Sequence, residues 1–426
     1  QGCLELAGKP TMDRACFGCL DTTLDLLVSA LRELPEHDAK AVDRIESDIR
    51  AQLRRSASPV NWLDSLGVLN AELWHRLEAL VRDTMEAVPV MTEEQETEIM
   101  VWLDRFQHDL HAIARDIDTF APWVHVLRDA PPELVENGRQ IADLLTAEPE
   151  AEVPDAIGEA LALVDALTGE ASGGQSAWLE EMRIAISNAK AAQADLRRDL
   201  SDLAARADKL AYAMDFSVLY DPSVRLFYIG YNQSLGQMDK SHYDLLATEA
   251  RLASYFAIAK HDVPIEHWFS FSRPITRLEG KPSILSWNGS MFEYLMPPLF
   301  LRGYRDTLLG ESELTAIDFQ RAYAAERGVP WGISESAFAA TDSQGTYQYR
   351  AFGVPGLGIR RGLSDDLVVA PYSTALALCG LPDAASRNLK EIAALGAMTR
   401  YGYFDALDFT PTRRPADHDF VPVQTY

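Results

Sequence analysis

Residues 182–231 read MRIAISNAKAAQADLRRDLSDLAARADKLAYAMDFSVLYDPSVRLFYIGY. In the first part Met182, Ile186, Ala189, Gln193, Leu196, Leu200, Leu203, Ala207, Leu210 and Met214 recur at heptad-like spacing, with Asp and Arg between them, so the spacing predicts one long helix. A packing helix is the simpler reading of that stripe; a partner-binding coiled coil is the other. At Asp215 the texture changes. β-branched and aromatic residues gather around Asp221-Pro222, which predicts a small β-hairpin near 216–231. The chain therefore divides into a helical region at 1–214 and a second region at 215–426.

Upstream of the seam the pattern is helical nearly throughout, as in Leu24, Leu27, Leu31 and in Leu66, Leu69, Leu73, Leu77, Leu80. Breaks fall at Pro59, Pro89, Pro122, Pro131, Pro132, Pro149, Pro154 and at Gly173-Gly174. Downstream, helices are expected at Tyr243 to Lys260, Met291 to Leu301, Glu311 to Arg327, Ala370 to Cys379 and Pro382 to Ala394. The fold class is all-α: a helical bundle region, then helices separated by loops that carry Trp, Tyr, Glu and Asp. A toroid of helical hairpins has this texture, and so does a bundle.

The formal net charge is −25, and residues 1–200 hold 38 Asp and Glu against 18 Lys and Arg. Nucleic acid and anionic membrane surfaces both require clustered Lys and Arg, so neither is an expected partner. No apolar run is long enough to span a membrane, and the N-terminus carries no secretion signal. Four cysteines cannot staple 426 residues, and the Cys16/Cys19 pair lacks a second pair that would complete a metal site. No metal or cofactor is expected. The chain starts at Gln1 and stops at Tyr426 in an unfinished segment, which reads as a piece of something longer.

Residues 331–378, from WGISESAF through TYQYRAFGVPGLGIRRGLSDDLVVAPYSTALAL, set one carboxylate, Glu335, among small and aromatic residues. A sugar ring offers an apolar C–H face and a belt of hydroxyls, so flat aromatic side chains beside isolated carboxylates suit it. Glu335 is the leading candidate, because helix formation does not ask for a glutamate in that loop. Glu249 lies on the helix after the hairpin and reads either as one inward carboxylate or as a surface residue. Glu293, near Trp287, Asn288, Phe292 and Tyr294, reads as a sugar contact or as a first-turn carboxylate favoured by the helix dipole. Asp365 and Asp366 precede an apolar run that one of them could cap. Arg273, Arg360 and Arg361 could pair with these acids. GVPGLGIRRG lacks the βαβ surroundings of a nucleotide-binding loop.

Five blocks in order, YNQSLGQMDKSHYDLLATEARLASYFAIAKHDVPIEHWFSFSRP, SWNGSMFEYLMPPLFLR, ERGVPWGISESAF, YQYRAFGVPGLGIRRGLSDDLVVAPYSTALAL and RYGYFDALDFTP, resemble the glycoamylase-like cyclization domain of bacterial cyclic β-1,2-glucan synthases. The resemblance covers roughly Asp215 to Tyr426. It implies an (α/α)6-barrel that cyclizes linear β-1,2-glucan by retaining intramolecular transglycosylation, with Glu249 as nucleophile and Glu335 as acid/base, the reverse assignment staying open. Related β-1,2-glucanases share the fold and invert instead, and a non-catalytic glucan-holding module is a third reading. Trp287, Tyr294, Trp331, Tyr347, Tyr349 and Tyr372 are the implied aromatic acceptor cleft, with Asn288, Phe292, Glu293, Asp366 and Arg273 as further substrate contacts. The resemblance also implies glycosyltransferase and phosphorylase-like regions in the same parent chain, and a place on the cytoplasmic face of the bacterial inner membrane. Family members continue past the position of Tyr426 with a Met-Ala-His-His-Gln-Gly-Met segment and more helices. The expectation is a C-terminally incomplete domain that is unstable or inactive alone.

Overall fold

The structure is a computed structural model that describes residues 16–35, 37–146, 156–169, 171–243 and 250–425. It is predominantly helical, and the chain forms two compact units, Gln1–Ala211 and Tyr212–Tyr426.

In the first unit α1 (Gly18–Arg32) packs against α5 (Glu93–Phe120). The spacing of three and four brings Leu20, Leu24, Leu27 and Leu31 to one buried face, opposite Leu103, Phe106, Leu110, Ile113 and Ile117. Thr23 Oγ1 donates to Asp109 Oδ2 at 2.9 Å, which pairs the two buried polar groups between these helices. Around them lie α2 (Ala39–Arg55), α3 (Trp62–Val68), α4 (Trp74–Ala87), α6 (Trp123–Arg128), α7 (Val135–Thr146) and α8 (Ala156–Thr168). A π-helical turn at Leu69–Leu73 joins α3 to α4. Chain breaks follow local chemistry. Pro59 opens a 3₁₀ turn, Pro122 stands at the start of α6, and Thr92 with Gln95 forms a capping box on α5. Pro149 and Pro154 lie outside the described residues. The long helix α9 (Gly174–Ala213) buries Trp178, Leu179, Met182, Ala185, Ile186 and Ala189. Past Ala189 the stripe is not covered: Leu203 is 48% and Leu210 72% exposed.

The second unit interleaves short helices with small antiparallel strand pairs. The expected hairpin is β1 (Tyr220–Asp221) with β2 (Leu226–Phe227), followed by β3 (Tyr231–Asn232) with β4 (Gln237–Met238). The Asp221 carboxylate closes the first turn by accepting from Ser223 N and Oγ, Tyr228 OH and His242 Nε2. These hydrogen bonds hold its pKa below the usual carboxylate range. Of the helix expected from Tyr243 to Lys260, α10 occupies Arg251–Ala259, and residues 244–249 lie outside the described part. Then follow α11 (Glu266–Ser270), β5 (Ile275–Leu278) with β6 (Lys281–Ile284), α12 (Met291–Leu295), α13 (Leu308–Ala325), β7 (Ser336–Thr341) with β8 (Tyr347–Arg350), and β9 (Val368–Val369). The unit continues with α14 (Pro371–Leu376), α15 (Pro382–Ala394), β10 (Met398–Thr399) with β11 (Gly402–Tyr403), β12 (Ala406–Asp408) and β13 (Val421–Val423). β12 is the middle strand of a three-stranded sheet, between β13 and β9. The helices expected at 291–301 and 370–379 are shorter, and each gives way to a 3₁₀ turn at Pro297–Leu299 and Ala377–Cys379.

A buried polar frame runs through this unit. Gln320 on α13 donates from Nε2 to Ile333 O at 2.8 Å and accepts from Ile333 N at 2.9 Å. Asn388 on α15 does the same for Trp331, at 2.8 Å and 3.1 Å. Thr374 Oγ1 adds a bond to Trp331 O, and Ala370 N donates to Gly332 O. Gly332 has φ 125°, and a Cβ there would stand 2.8 Å from the Ser373 and Thr374 hydroxyl oxygens, so no side chain fits. His267 is wholly buried beside Phe227 and Phe271. Its Nδ1 must donate to the Arg225 carbonyl, at 2.7 Å, which leaves Nε2 to accept from Ser254 Oγ at 2.9 Å.

Two expectations follow. Gln320→Leu keeps the volume and leaves the buried Ile333 N–H unpaired, so denaturant unfolding is expected to show a loss of about 2 kcal/mol; an unchanged midpoint would show that another group holds this segment. Burial lowers the His267 pKa, so the unfolded chain takes the proton first. Stability is therefore full above the unfolded value of about 6.5 and falls as pH drops from there toward the folded value, by up to about 1.4 kcal/mol per pH unit. In pH-dependent melting His267→Phe should lack this part of the acid slope, and identical slopes would refute it.

Candidate functional site

The segment fixed by Gln320 and Asn388 ends at Ser334 and delivers Glu335 just ahead of β7. Ser334 is fully buried, and its Oγ accepts from Phe292 N at 3.1 Å, at the first turn of α12. Tyr372 on α14 donates its hydroxyl to the Glu335 carbonyl at 3.0 Å, and that hydroxyl lies 2.8 Å from Ser334 Oγ. With its single proton used on Glu335, Tyr372 must accept from Ser334. The bonds thus run in one direction, from Phe292 N–H through Ser334 and Tyr372 to the Glu335 main chain. Burial raises the Tyr372 pKa, the Ser334 bond lowers it, and nearby Glu335 and Tyr349 raise it, so the hydroxyl stays a donor at neutral pH.

Above this frame is a depression of about 330 Å3. Glu335, half-buried, forms one wall with Ser336 and Ala337. Aromatic rings of Phe292, Tyr349 and Tyr372 form another, the Phe292 and Tyr372 rings standing edge to face at 6.5 Å and Tyr349 being 66% exposed. Asp405 and Thr425 complete it. A carboxylate between flat apolar rings, with further polar groups at the rim, can bind a hydroxylated ring and act on it as acid or base. Among the described residues no group of three or more His, Cys, Asp or Glu could hold a metal ion, and no helix is long and apolar enough to cross a membrane.

The structure brings together Glu335, Phe292, Tyr349 and Tyr372 of the residues singled out in the sequence. It places the others differently. Trp287 and Asn288 sit on a neighbouring loop, with Trp287 56% exposed, and that loop is held by the glycine-rich segment at 353–362. Ile359 N donates to Ser286 O, Arg360 N to Trp287 O and Val354 N to Gly289 O. A Cβ on Gly353 would lie 1.8 Å from Asn288 O, and one on Gly358 2.5 Å from it, so these glycines serve loop-to-loop packing. Glu293 is 5% exposed and accepts from Ser286 Oγ, Asn288 N, Ser290 N and Ser290 Oγ. Burial raises its pKa and these bonds pull it back. It organises the loop and faces no part of the depression.

Tyr294 and Trp331 belong to the core, the Tyr294 hydroxyl lying between Ile284 O and Leu357 O and accepting from Ser286 N. Tyr347 packs against the same core. Asp366 accepts from Arg350 at 2.7 Å and Arg413 at 2.6 Å, and Arg413 also grips Asp408, which in turn accepts from Ala339 N. That network ties β7 to β12. Arg273 donates to the Phe271 and Trp268 carbonyls. Glu249 lies outside the described residues. Ser336, Asp405 and Thr425 were not singled out in the sequence. Asp405 lies within the block RYGYFDALDFTP, one of the five that carry the resemblance, and that was its only signal.

Residues 241–425 match the family model Glycoamylase, described as a putative glucoamylase, and the second unit thus carries a glycoamylase-like domain. Over 231 residues, 54% of the chain, it is 46% identical to the cyclic β-(1,2)-glucan synthase NdvB of Rhizobium meliloti (strain 1021), of whose length this chain covers 8%.

Tyr372→Phe removes the donor to the Glu335 carbonyl. Unfolding free energy is expected to fall by about 1 kcal/mol, with faster amide hydrogen exchange around Ser336; unchanged exchange there would show that the tyrosine does not hold the segment.

Proposed function

We propose that the second unit is the cyclization domain of a cyclic β-1,2-glucan synthase, acting on linear β-1,2-glucan as a retaining transglycosylase. The observation that carries this reading is the placement of Glu335 in an aromatic-walled depression, within a domain whose relative is named as such a synthase. In this reading the helices complete an (α/α)6-barrel, and Glu249 is the second catalytic carboxylate. One glutamate attacks the anomeric carbon as the C1–O bond breaks, while the other protonates the departing oxygen. The same acid, now a base, then takes the proton from a hydroxyl of the chain's own far end, and that oxygen displaces the enzyme to close the ring. We assign Glu335 to the acid/base role and Glu249 to the nucleophile. Water has to be kept from the glycosyl-enzyme, and the rings of Phe292, Tyr349 and Tyr372 suit them for covering it. The remaining synthase regions, a glycosyltransferase and a phosphorylase-like part, would belong to the same longer polypeptide at the cytoplasmic face of the inner membrane.

The test is incubation of linear β-1,2-glucan with the chain and with a version extended downstream, each beside its Glu335→Gln variant. Digestion with an exo-acting β-glucosidase and mass spectrometry follow. The expected result is resistant products one water lighter than linear chains of the same length, reduced by ~10²–10⁴-fold in the variant. Shorter linear products with new reducing ends would mean a β-1,2-glucanase, and bound but unaltered glucan a holding module.

A further inference from the structure

Two polar side chains in the wall of the depression have hydrogen-bonding capacity that the protein leaves unused. Asp405 immediately precedes β12, Glu335 immediately precedes β7, and Thr425 lies just past β13. β12 and β13 pair antiparallel with Ala406 opposite Val423, and β7 packs beside both, so these residues arrive at one end of the strands. Thr425 donates to Asp405 Oδ2 twice, from N and from Oγ1, each at 2.7 Å. Two donors on one oxygen fix the plane of the carboxylate. They leave Oδ1, an acceptor, with no partner among the described residues, in a side chain that is only half-buried. Ser336 is 6% exposed, and its hydroxyl also has no partner among the described residues. A buried hydroxyl left unpaired is costly, and such a group in a cavity wall points to a ligand or a water that completes it.

The two groups differ in what they offer. The carboxylate oxygen only accepts, whereas the serine hydroxyl both donates and accepts. Each hydroxyl of a sugar ring likewise donates and accepts, so one ring hydroxyl can give its proton to Asp405 while its neighbour bonds Ser336, with the exposed Tyr349 ring beside the C–H face. We propose that Asp405 and Ser336 bind neighbouring hydroxyls of the glucose unit held beside Glu335, with Thr425 positioning the Asp405 carboxylate. This rests on the carbohydrate reading given above and adds the polar edge of that site. Neither residue takes part in the proton transfers assigned to the glutamates.

The test is titration calorimetry with linear β-1,2-, β-1,3- and β-1,4-glucans in the Glu335→Gln background, which prevents turnover. Asp405→Ala should weaken binding by about 10-fold or more, the loss of a charge-assisted hydrogen bond. Asp405→Asn should weaken it less. Thr425→Val keeps the main-chain donor, so its effect should fall between those of wild type and Asp405→Ala. Ser336→Ala gives the sharpest signature: affinity falls several-fold while the melting temperature holds or rises, because the hydroxyl has no partner to lose in the free protein. A merely structural serine would lower the melting temperature and leave affinity unchanged, which would overturn its part of the proposal. Unaltered β-1,2-glucan affinity in folded Asp405→Asn and Ser336→Ala would overturn the proposal while leaving the synthase reading intact. Tight binding of another β-glucan, weakened by the same variants, would support the polar edge and remove the β-1,2 assignment. Binding of none of the three would overturn both.

Discussion

Two side-chain amides hold the main chain ahead of Glu335, and the placement of that glutamate depends on them. A carboxamide is chemically a detached peptide group, with donor and acceptor in one plane. Gln320 therefore satisfies both main-chain groups of Ile333, and Asn388 both of Trp331, as a neighbouring strand would. A real strand does not fit along this stretch, because Gly332 between them takes φ 125° and presses against Ser373 and Thr374. The amides come from two different helices, α13 and α15. The segment is thus a joint where helices meet, and no hydrophobic contact alone would fix its register so closely, since apolar packing is not directional.

The same logic extends to the neighbouring loop. Glu293 gathers three main-chain or hydroxyl donors from residues 286–290, and the glycines at 353 and 358 let a second loop lie directly on Asn288. The display of Trp287 at the surface is then a consequence of a carboxylate below it and of missing side chains beside it. A tryptophan 56% exposed on such a rigid base is placed for contact with a flat apolar face beyond the depression itself.

What the sequence made legible was whatever is encoded locally. The three- and four-residue spacing of Leu24, Leu27 and Leu31 marks the buried face of α1, and the turn residues at Asp221-Pro222 mark the hairpin. Ser336–Thr341 and Tyr347–Arg350 were also locally written, since Asp342 accepts from Gln344 N and Thr346 N at a tight turn between two short alternating runs. Their shortness hid them, because four or six residues carry little periodic signal. The site was half-legible. Glu335, Phe292, Tyr349 and Tyr372 meet because remote helices pin the chain, and nothing in the spacing of these four residues states that they meet. Aromatic residues in the same blocks, Tyr294 and Trp331, look no different in the sequence and are buried in the core.

Carboxylates were the hardest to sort, and the reason is physical. Whether an acid is structural depends on who donates to it, and donors come from anywhere in the chain. Asp366 and Asp408 share Arg413, which arrives from a turn beyond β12, and Glu293 is surrounded by its own loop. Each has its oxygens occupied by protein donors, so each holds strands or loops together and has little left to offer a ligand. Asp405 is intermediate: Thr425 occupies one oxygen and orients the other. Where a protein both restrains a carboxylate and leaves one of its oxygens open, the restraint lowers the entropy lost when something else binds there. That combination, more than acidity or exposure by itself, separates the polar groups of the depression from the many other acids of a chain with a net charge of −25.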